Sequence, residues 1–447
     1  MLLEFSVENF LSFKELNTLS MIAAKSFKEF KDTNTIEVDS KLRVLKSAVL
    51  YGNNASGKSN FVRAIHFMRE MVVNSFKNSL DDETEKLFVT EKFILNTKTE
   101  GEPSSFEVVF IHNEIKYRYG FEIDDNKIVA EWLYHTTTKE VYLFKRDLQN
   151  IDINKSAFKE GLGKEMNVKE NVLFLTLIAQ LNGDISNDLI RWFKKLNITD
   201  GLSDNSNLKR KNYTLKKLKN DTSFLNWVLH FIKYLEISNL STTEASTNGG
   251  DIEKILKKEK DKEIIDVLTA LQKLQEKQPS KPEQYQLLSF HRKYDENNIL
   301  VDTIPFNFDK QESKGTQKLL YLLGPFYDTL KTGKILVIDE FDSKLHVLMT
   351  AHLINFFHAY NRNHAQLIFT VHDISILNRD TFRRDQIWFV EKNQFGASEI
   401  YSLADFKTEK VRNKSAFGKN YIEGKYGATP HLEIDEKLNQ LLYGEAG

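Results

Sequence analysis

Between residues 52 and 59 the chain reads Gly-Asn-Asn-Ala-Ser-Gly-Lys-Ser, a match to G-x-x-x-x-G-K-[ST]. Few short patterns constrain a fold as much, because this one works only where a buried strand feeds a tight loop and the loop opens a helix. Both flanks comply. Ser47–Tyr51 is a short apolar run ending on Gly52, which reads as a buried strand. From Phe61 to Asn78, the residues Phe61, Ile65, Met68 and Val72 recur at helical spacing. The backbone N–H groups of Gly52, Asn53, Asn54, Ala55, Ser56 and Gly57, with Asn60 just inside the helix, can then cradle phosphates. Lys58 supplies a point charge to the β- and γ-phosphates, and the Ser59 hydroxyl is a candidate Mg²⁺ ligand.

Three later segments add chemistry. Lys334-Ile-Leu-Val-Ile-Asp339-Glu340 reads as a buried strand ending in two carboxylates. A strand that ends in acids is common, but paired with the phosphate loop it points to nucleotide hydrolysis. Asp339 would hold the metal, and Glu340 would activate water as a general base. Gln366-Leu-Ile-Phe-Thr-Val-His372-Asp373 is a second buried strand, and its histidine either packs locally or senses a γ-phosphate. Glu312-Ser313-Lys-Gly315-Thr-Gln317-Lys318 opens a helix. Ser313 and Gly315 there make an anion site, or Ser313 or Thr316 simply caps free N–H groups.

The rest of the chain sets these pieces in order. Leu2–Asn9 alternates apolar and polar residues like a half-buried strand. Phe106–Ile111, Ile115–Ile123, Ile128–His135 and Tyr142–Arg146 read as an antiparallel meander. From about 165 to 280 the chain turns helical and charged. Ile264, Val267, Leu268, Leu271 and Leu274 form one stripe, enough for a short coiled-coil arm, and Thr242–Gly250 reads as an exposed loop. Beyond 300, strands at Lys334–Asp339 and Gln366–Val371 follow helices at Lys318–Leu330 and Leu345–Asn361. The predicted organisation is an α/β fold. Residues 1–150 form a first lobe, 151–300 a helical insertion and 301–447 a second lobe, with both β-rich ends in one folded unit. No internal repeat is visible.

Composition excludes several classes. With no cysteine, disulfides, Cys-ligated zinc, thiolate iron–sulfur clusters and Cys nucleophiles are ruled out. The balance of 62 basic and 63 acidic residues gives no global pull toward polyanions. The start lacks the pattern of a signal peptide and no run is long enough to span a membrane, so a cytoplasmic protein without membrane contact is expected. Locally, Lys209-Arg-Lys211 and Lys216-Lys217-Leu-Lys219 place six positive charges in eleven residues. A solvated helical face is the favoured reading, with a patch for nucleic acid or a partner protein as the other. Lys254–Lys262, interleaved with acids, reads as an exposed helix.

The order of phosphate loop, insertion, Ser-Gly helix start, Asp-Glu strand and His strand resembles the ABC-type ATPase head of the SMC, RecF and OLD branch. Ser6-Val-Glu-Asn-Phe-Leu-Ser-Phe13 is similar to that branch's opening strand, and Glu312–Gln317 stands where the family carries L-S-G-G-Q. Glu312 and Lys314 depart from that signature. Arg383–Lys392 and Lys419–Pro430 further resemble the AbiL-type (RloA-like) AAA-family ATPases of anti-phage defence and, more distantly, the ATPase of the PARIS system.

The resemblance implies a head with a mixed sheet core and an antiparallel β lobe, binding ATP and Mg²⁺. It implies an ATP-sandwiched homodimer or a higher oligomer, in which Ser313 and Gly315 of one chain close over the γ-phosphate held by the other. Asp342 and Ser343 would cross that interface, His346 would be structural, and Gln180 would complete the Mg²⁺ shell. OLD-type relatives carry a Toprim nuclease with an Asp-x-Asp pair. The roughly 75 residues after His372 contain none, so a separately encoded effector, a nuclease or toxin, is expected. A RecF-like role, clamping DNA on ATP binding, is the alternative.

Overall fold

A computed structural model describes residues 1–78, 90–125, 127–199, 204–244, 285–406, 417–429 and 441. They group into two units. The first comprises Met1–Leu202, Thr329–Ser343 and Val347–Gly447, and the second Ser203–Asp328 with Lys344–His346.

In the first unit, β1 (Leu2–Glu8) and β2 (Asn17–Ser20) are followed by a small ribbon of β3 (Thr35–Glu37) and β4 (Arg43–Leu45), then β5 (Ser47–Tyr51) and helix α1 (Lys58–Asn78). The meander follows as β6 (Ser104–His112), β7 (Ile115–Asp124), β8 (Lys127–Thr136), β9 (Glu140–Asp147) and β10 (Asn150–Ile153). After it come α2 (Phe174–Gln180), α3 (Asp184–Lys194) and β11 (Leu196–Thr199). β1, β2 and β6–β10 form an antiparallel sheet in the order β10-β9-β8-β7-β6-β1-β2. β1 shows the alternation its sequence predicts, with Leu3, Phe5 and Val7 buried.

The second sheet holds the phosphate loop. β15 (Ile335–Ile338), β16 (Gln366–Thr370), β17 (Ile387–Lys392) and β18 (Ser398–Ser402) return from the far end of the chain to give the order β11-β15-β16-β5-β17-β18. The first five run parallel and β18 closes the edge antiparallel. All residues of β5, β15 and β16 are buried, as expected of parallel strands covered on both faces. Helix α1 is packed within the same core as both sheets. Phe61 meets Phe5 and Phe13 edge-on at 5.5 and 5.8 Å. Gln366 ties the sheets directly. Its Oε1 accepts from Leu2 N at 2.6 Å and its Nε2 donates to Leu2 O at 2.9 Å, in a fully buried position.

The second unit contains α4 (Asp204–Asn220), α5 (Thr222–Phe231), the strands β12 (Ile237–Glu244), β13 (Tyr285–Tyr294) and β14 (Leu300–Asn307), and the start of α6 (Lys314–Thr332). The three strands form an antiparallel sheet. Helix α7 (Val347–Tyr360) belongs to the first unit.

The expected α/β head, with a mixed core and an antiparallel lobe, matches this architecture. The boundaries fall elsewhere than expected. Residues 151–199 complete the first unit, because Trp192 stacks on Phe110 at 3.8 Å and Phe193 is buried among the lobe's aromatics. The middle is also not purely helical. β14 is exposed along most of its length, so it lacks the buried apolar run that marks a strand in sequence. The stripe Ile264–Leu274 and the stretch Lys254–Lys262 lie outside the described residues, and of Thr242–Gly250 only Thr242–Glu244, the end of β12, is described.

The basic run on α4 is partly structural rather than a solvated face. Arg210 is buried, and Lys211 Nζ bonds Asp309 at 2.7 Å. Lys217 lies 5.4 Å above the Tyr327 ring and Lys219 lies 5.3 Å above that of Tyr285.

Candidate functional site

The loop from Gly52 to Gly57 is fixed by its close neighbours. A Cβ at Gly52 would fall 2.3 Å from Val390 O, so only glycine lets β17 approach. Gly57 has φ +115°, and a Cβ there would lie 2.4 Å from Ser398 Oγ and 2.8 Å from Ser12 Oγ. Those two serines brace the loop. Ser398 Oγ donates to Ser56 O at 2.6 Å, and Asn60 Nδ2 donates to Ser12 Oγ at 2.8 Å. At the tip, Ala55 is left-handed with φ 60°.

Lys58 folds back over the loop. Its Nζ donates to Gly52 O at 2.7 Å and Asn53 O at 3.0 Å. Burial lowers its pKa to about 8, against the opposing pull of Asp339, Asp342 and Glu340. The ammonium is thus held, largely dehydrated, near three acids.

The acids come from the end of β15. Asp339 is buried, and its Oδ1 accepts from Thr370 Oγ1 at 2.5 Å. The same hydroxyl accepts from Glu340 N at 2.8 Å, so one side chain on β16 positions both acidic residues. Glu340 adopts φ 50°, a left-handed turn that ends the strand and carries its side chain to the cavity. Asp342 Oδ2 accepts from His372 N at 2.8 Å and Asp373 N at 2.6 Å, anchoring the segment that carries the histidine.

These elements border an open cavity of about 790 Å³ lined by residues 54–60, Glu340, His372 and Lys392. The structure therefore brings together Asn54, Ala55, Ser56, Gly57, Lys58, Ser59, Asn60, Glu340 and His372, with Gly52 and Asn53 at the loop's root and Asp339 beside Glu340. Gln180 does not join them. It is exposed at the end of α2, whose Thr176 bonds Val72 O, 13 residues or roughly 20 Å along α1 from Ser59. Asp342, expected across a dimer interface, has its Oδ2 engaged within its own chain.

Ser313, Gly315 and His346 belong to the second unit. There Ser313 Oγ accepts from Thr316 N at 3.1 Å, the capping geometry, and a Cβ at Gly315 would lie 2.6 Å from Lys344 O. Thr370, Ser12, Ser398 and Lys392 emerge only from the fold. Ser12, Thr370 and Lys392 lie within segments singled out above and Ser398 outside them, and nothing in their spacing marks any of the four.

The residues present suit ATP with Mg²⁺. The loop residues Asn54–Ser59 line the cavity, Ser56 Oγ is buried without a partner, and Lys58 faces the same cavity. Among the described residues there is no cluster of three or more His, Cys, Asp or Glu fit to cage a metal. A divalent ion here would rest on Ser59, Asp339, phosphate oxygens and water, which is how Mg²⁺ is ordinarily held.

Residues 47–378, about three quarters of the chain, match the family described as "AAA domain, putative AbiEii toxin, Type IV TA system", and the chain belongs to that family. The class is therefore an ATPase of the AAA type. No curated protein matches significantly. Among solved structures, the SMC head domain from Thermotoga maritima is 12% identical with a TM-score of 0.36, covering 90% of this chain and 98% of that one. An SMC head bound to the C-terminal winged-helix domain of ScpA is 12% identical, TM-score 0.41, at 92% and 99% coverage. The recombination mediator RecF with an ATP analogue is 16% identical, TM-score 0.35, at 90% and 98%. Among the described residues no helix is long and apolar enough to cross a membrane.

Proposed function

We propose that this protein is an ATP-binding and ATP-hydrolysing switch, the sensor or regulator ATPase of an anti-phage, abortive-infection type system that controls a separately encoded effector such as a nuclease or toxin. The observation that supports the ATPase reading most is the Lys58–Asp339–Thr370–Glu340 arrangement, of which Lys58 and Glu340 line the 790 Å³ cavity. Lys58 and the loop amides would hold the β- and γ-phosphates. Ser59 and Asp339 would hold Mg²⁺, which when bound neutralises charge developing on the phosphates. Glu340 would take the proton of an attacking water, and His372 would contact the γ-phosphate.

Ser313 and Gly315 of a second copy would complete the site in an ATP-sandwiched homodimer. Contacts made only with a γ-phosphate then favour the closed dimer, and hydrolysis removes them, so turnover times a conformational state. The defence role rests on the AbiL-type resemblance and on the family's toxin-system description.

The test has two parts. Glu340→Gln should bind ATP, hydrolyse it at least about a hundredfold more slowly and form a dimer only with ATP. Dimerisation that ignores ATP would refute the switch. Tagged protein from its host should bring down a stoichiometric second protein. DNA in its place would favour the DNA-clamp reading, for which Lys216, exposed on α4, is the supporting feature.

A further inference from the structure

The helix start at Ser313 is held by the second unit's own sheet. Glu312 stands immediately before it, and its Oε1 accepts two hydrogen bonds from β13, from Ser289 Oγ at 2.6 Å and from His291 Nε2 at 2.6 Å. The imidazole is backed by Phe306 of β14, with ring centroids 4.6 Å apart. The Glu312 side chain is 11% exposed and that of His291 is 23% exposed, so both bonds form largely out of water, where charge-assisted pairs are strongest.

The turn is pinned from its other side too. Gln317 Nε2 donates to Asp309 O at 2.8 Å and to Glu312 O at 2.9 Å. Gly315 is pressed against the Lys344 carbonyl. The departure of Glu312 from the family's apolar signature residue thus coincides with a specific polar partner set on the insertion.

We propose that His291 and Ser289, acting through Glu312, are positioning residues that set the angle at which Ser313 and Gly315 meet the γ-phosphate bound by a second copy. This rests on the homodimer reading above. The β13–β14 hairpin becomes the element through which the insertion adjusts hydrolysis: a shift of β13 moves Glu312, and with it the first turn of α6. A nucleotide bound by the phosphate loop alone needs none of these contacts, so the pair acts on closure and turnover and not on initial binding.

The experiment compares His291→Ala, Ser289→Ala and Glu312→Ala with His291→Gln, which keeps a side-chain N–H donor. ATP affinity is measured on nucleotide-loaded monomer. ATP-dependent dimerisation is measured in the Glu340→Gln background by light scattering, and turnover in the parent. His291→Ala and Glu312→Ala should each cut turnover and dimer affinity about tenfold or more while ATP affinity stays within about twofold. The His291→Ala/Glu312→Ala double variant should lose no more than the worse single one, and His291→Gln should recover most of the loss. Thermal melts identify any variant that fails to fold, in which case Ser289→Ala and His291→Gln carry the test through smaller losses of the same pattern. Turnover and dimerisation within twofold of the parent for His291→Ala would overturn the inference while leaving the switch standing. A parent that binds ATP but never dimerises would overturn both.

Discussion

Thr370 offers the sharpest probe of the site, because a single methyl-for-hydroxyl exchange disconnects two acids without changing volume. Thr370→Val removes the 2.5 Å bond to Asp339 Oδ1 and the 2.8 Å bond from Glu340 N. Thr370 is fully buried, so water cannot readily replace either partner. A hydrogen bond to a charged group contributes about 1.5–3 kcal/mol, and an orphaned buried N–H costs about 1–3 kcal/mol. With partial relaxation the loss should be about 2–4 kcal/mol of stability, read as a lower urea midpoint at unchanged slope. Glu340, in a left-handed conformation that this bond helps to hold, would lose its register with the cavity. Misplacement of a catalytic group by about 1 Å costs up to about a hundredfold in rate, so kcat should fall by about 10- to 100-fold with little change in nucleotide affinity. Thr370→Ser should restore both. Parent-like turnover in a stably folded Thr370→Val protein would refute the assignment of Asp339 and Glu340 to the chemistry.

Lys58→Met should abolish the thermal stabilisation that ATP confers, yet leave nucleotide-free protein as stable as the parent or more so near neutral pH, since it relieves a buried charge. Because the Lys58 pKa falls from 10.5 to about 8, the unfolded chain binds the extra proton between those values. Stability of the nucleotide-free parent should therefore rise with pH across that window while its ATP affinity falls, and Lys58→Met should lose both slopes in pH-dependent melts. Glu131 is fully buried, accepts from Phe174 N at 2.6 Å and Leu175 N at 3.0 Å at the start of α2, and faces Arg146 at 3.8 Å. Glu131→Ala should cost about 3–5 kcal/mol by stranding the arginine, measurable by denaturant titration, with Glu131→Gln costing less. Gln366→Leu should loosen β1 from β16, seen as faster amide exchange at Leu2 and about 2–4 kcal/mol lost for the buried groups left unpaired.

Much of the site was legible because its chemistry is local. The phosphate loop needs a strand, glycines at fixed steps and a helix start, all within residues 47–78. The Asp339-Glu340 and His372 segments are strand ends whose residue types announce themselves. Gln180 misled because a glutamine near the end of an apolar helix looks the same whether it faces a metal or solvent. Only packing of α2 along the far half of α1 settles its place. The basic run on α4 misled for a similar reason, since a lysine stem lying on Tyr327 or Tyr285 has no signature in charge spacing.

Sequence alone determined the class of fold and marked Gly52–Ser59, Lys58, Asp339 and Glu340 as candidates, because each signal follows from backbone geometry over a few residues. Tertiary structure decided what holds them in register. Thr370 joins Asp339 to Glu340, Asp342 holds the turn of His372, Ser12 and Ser398 brace the loop, and Glu312 is tied to His291. Those contacts join residues as much as 342 positions apart, and no local periodicity encodes which distant hydroxyl or carboxylate a folded chain will bring within 3 Å.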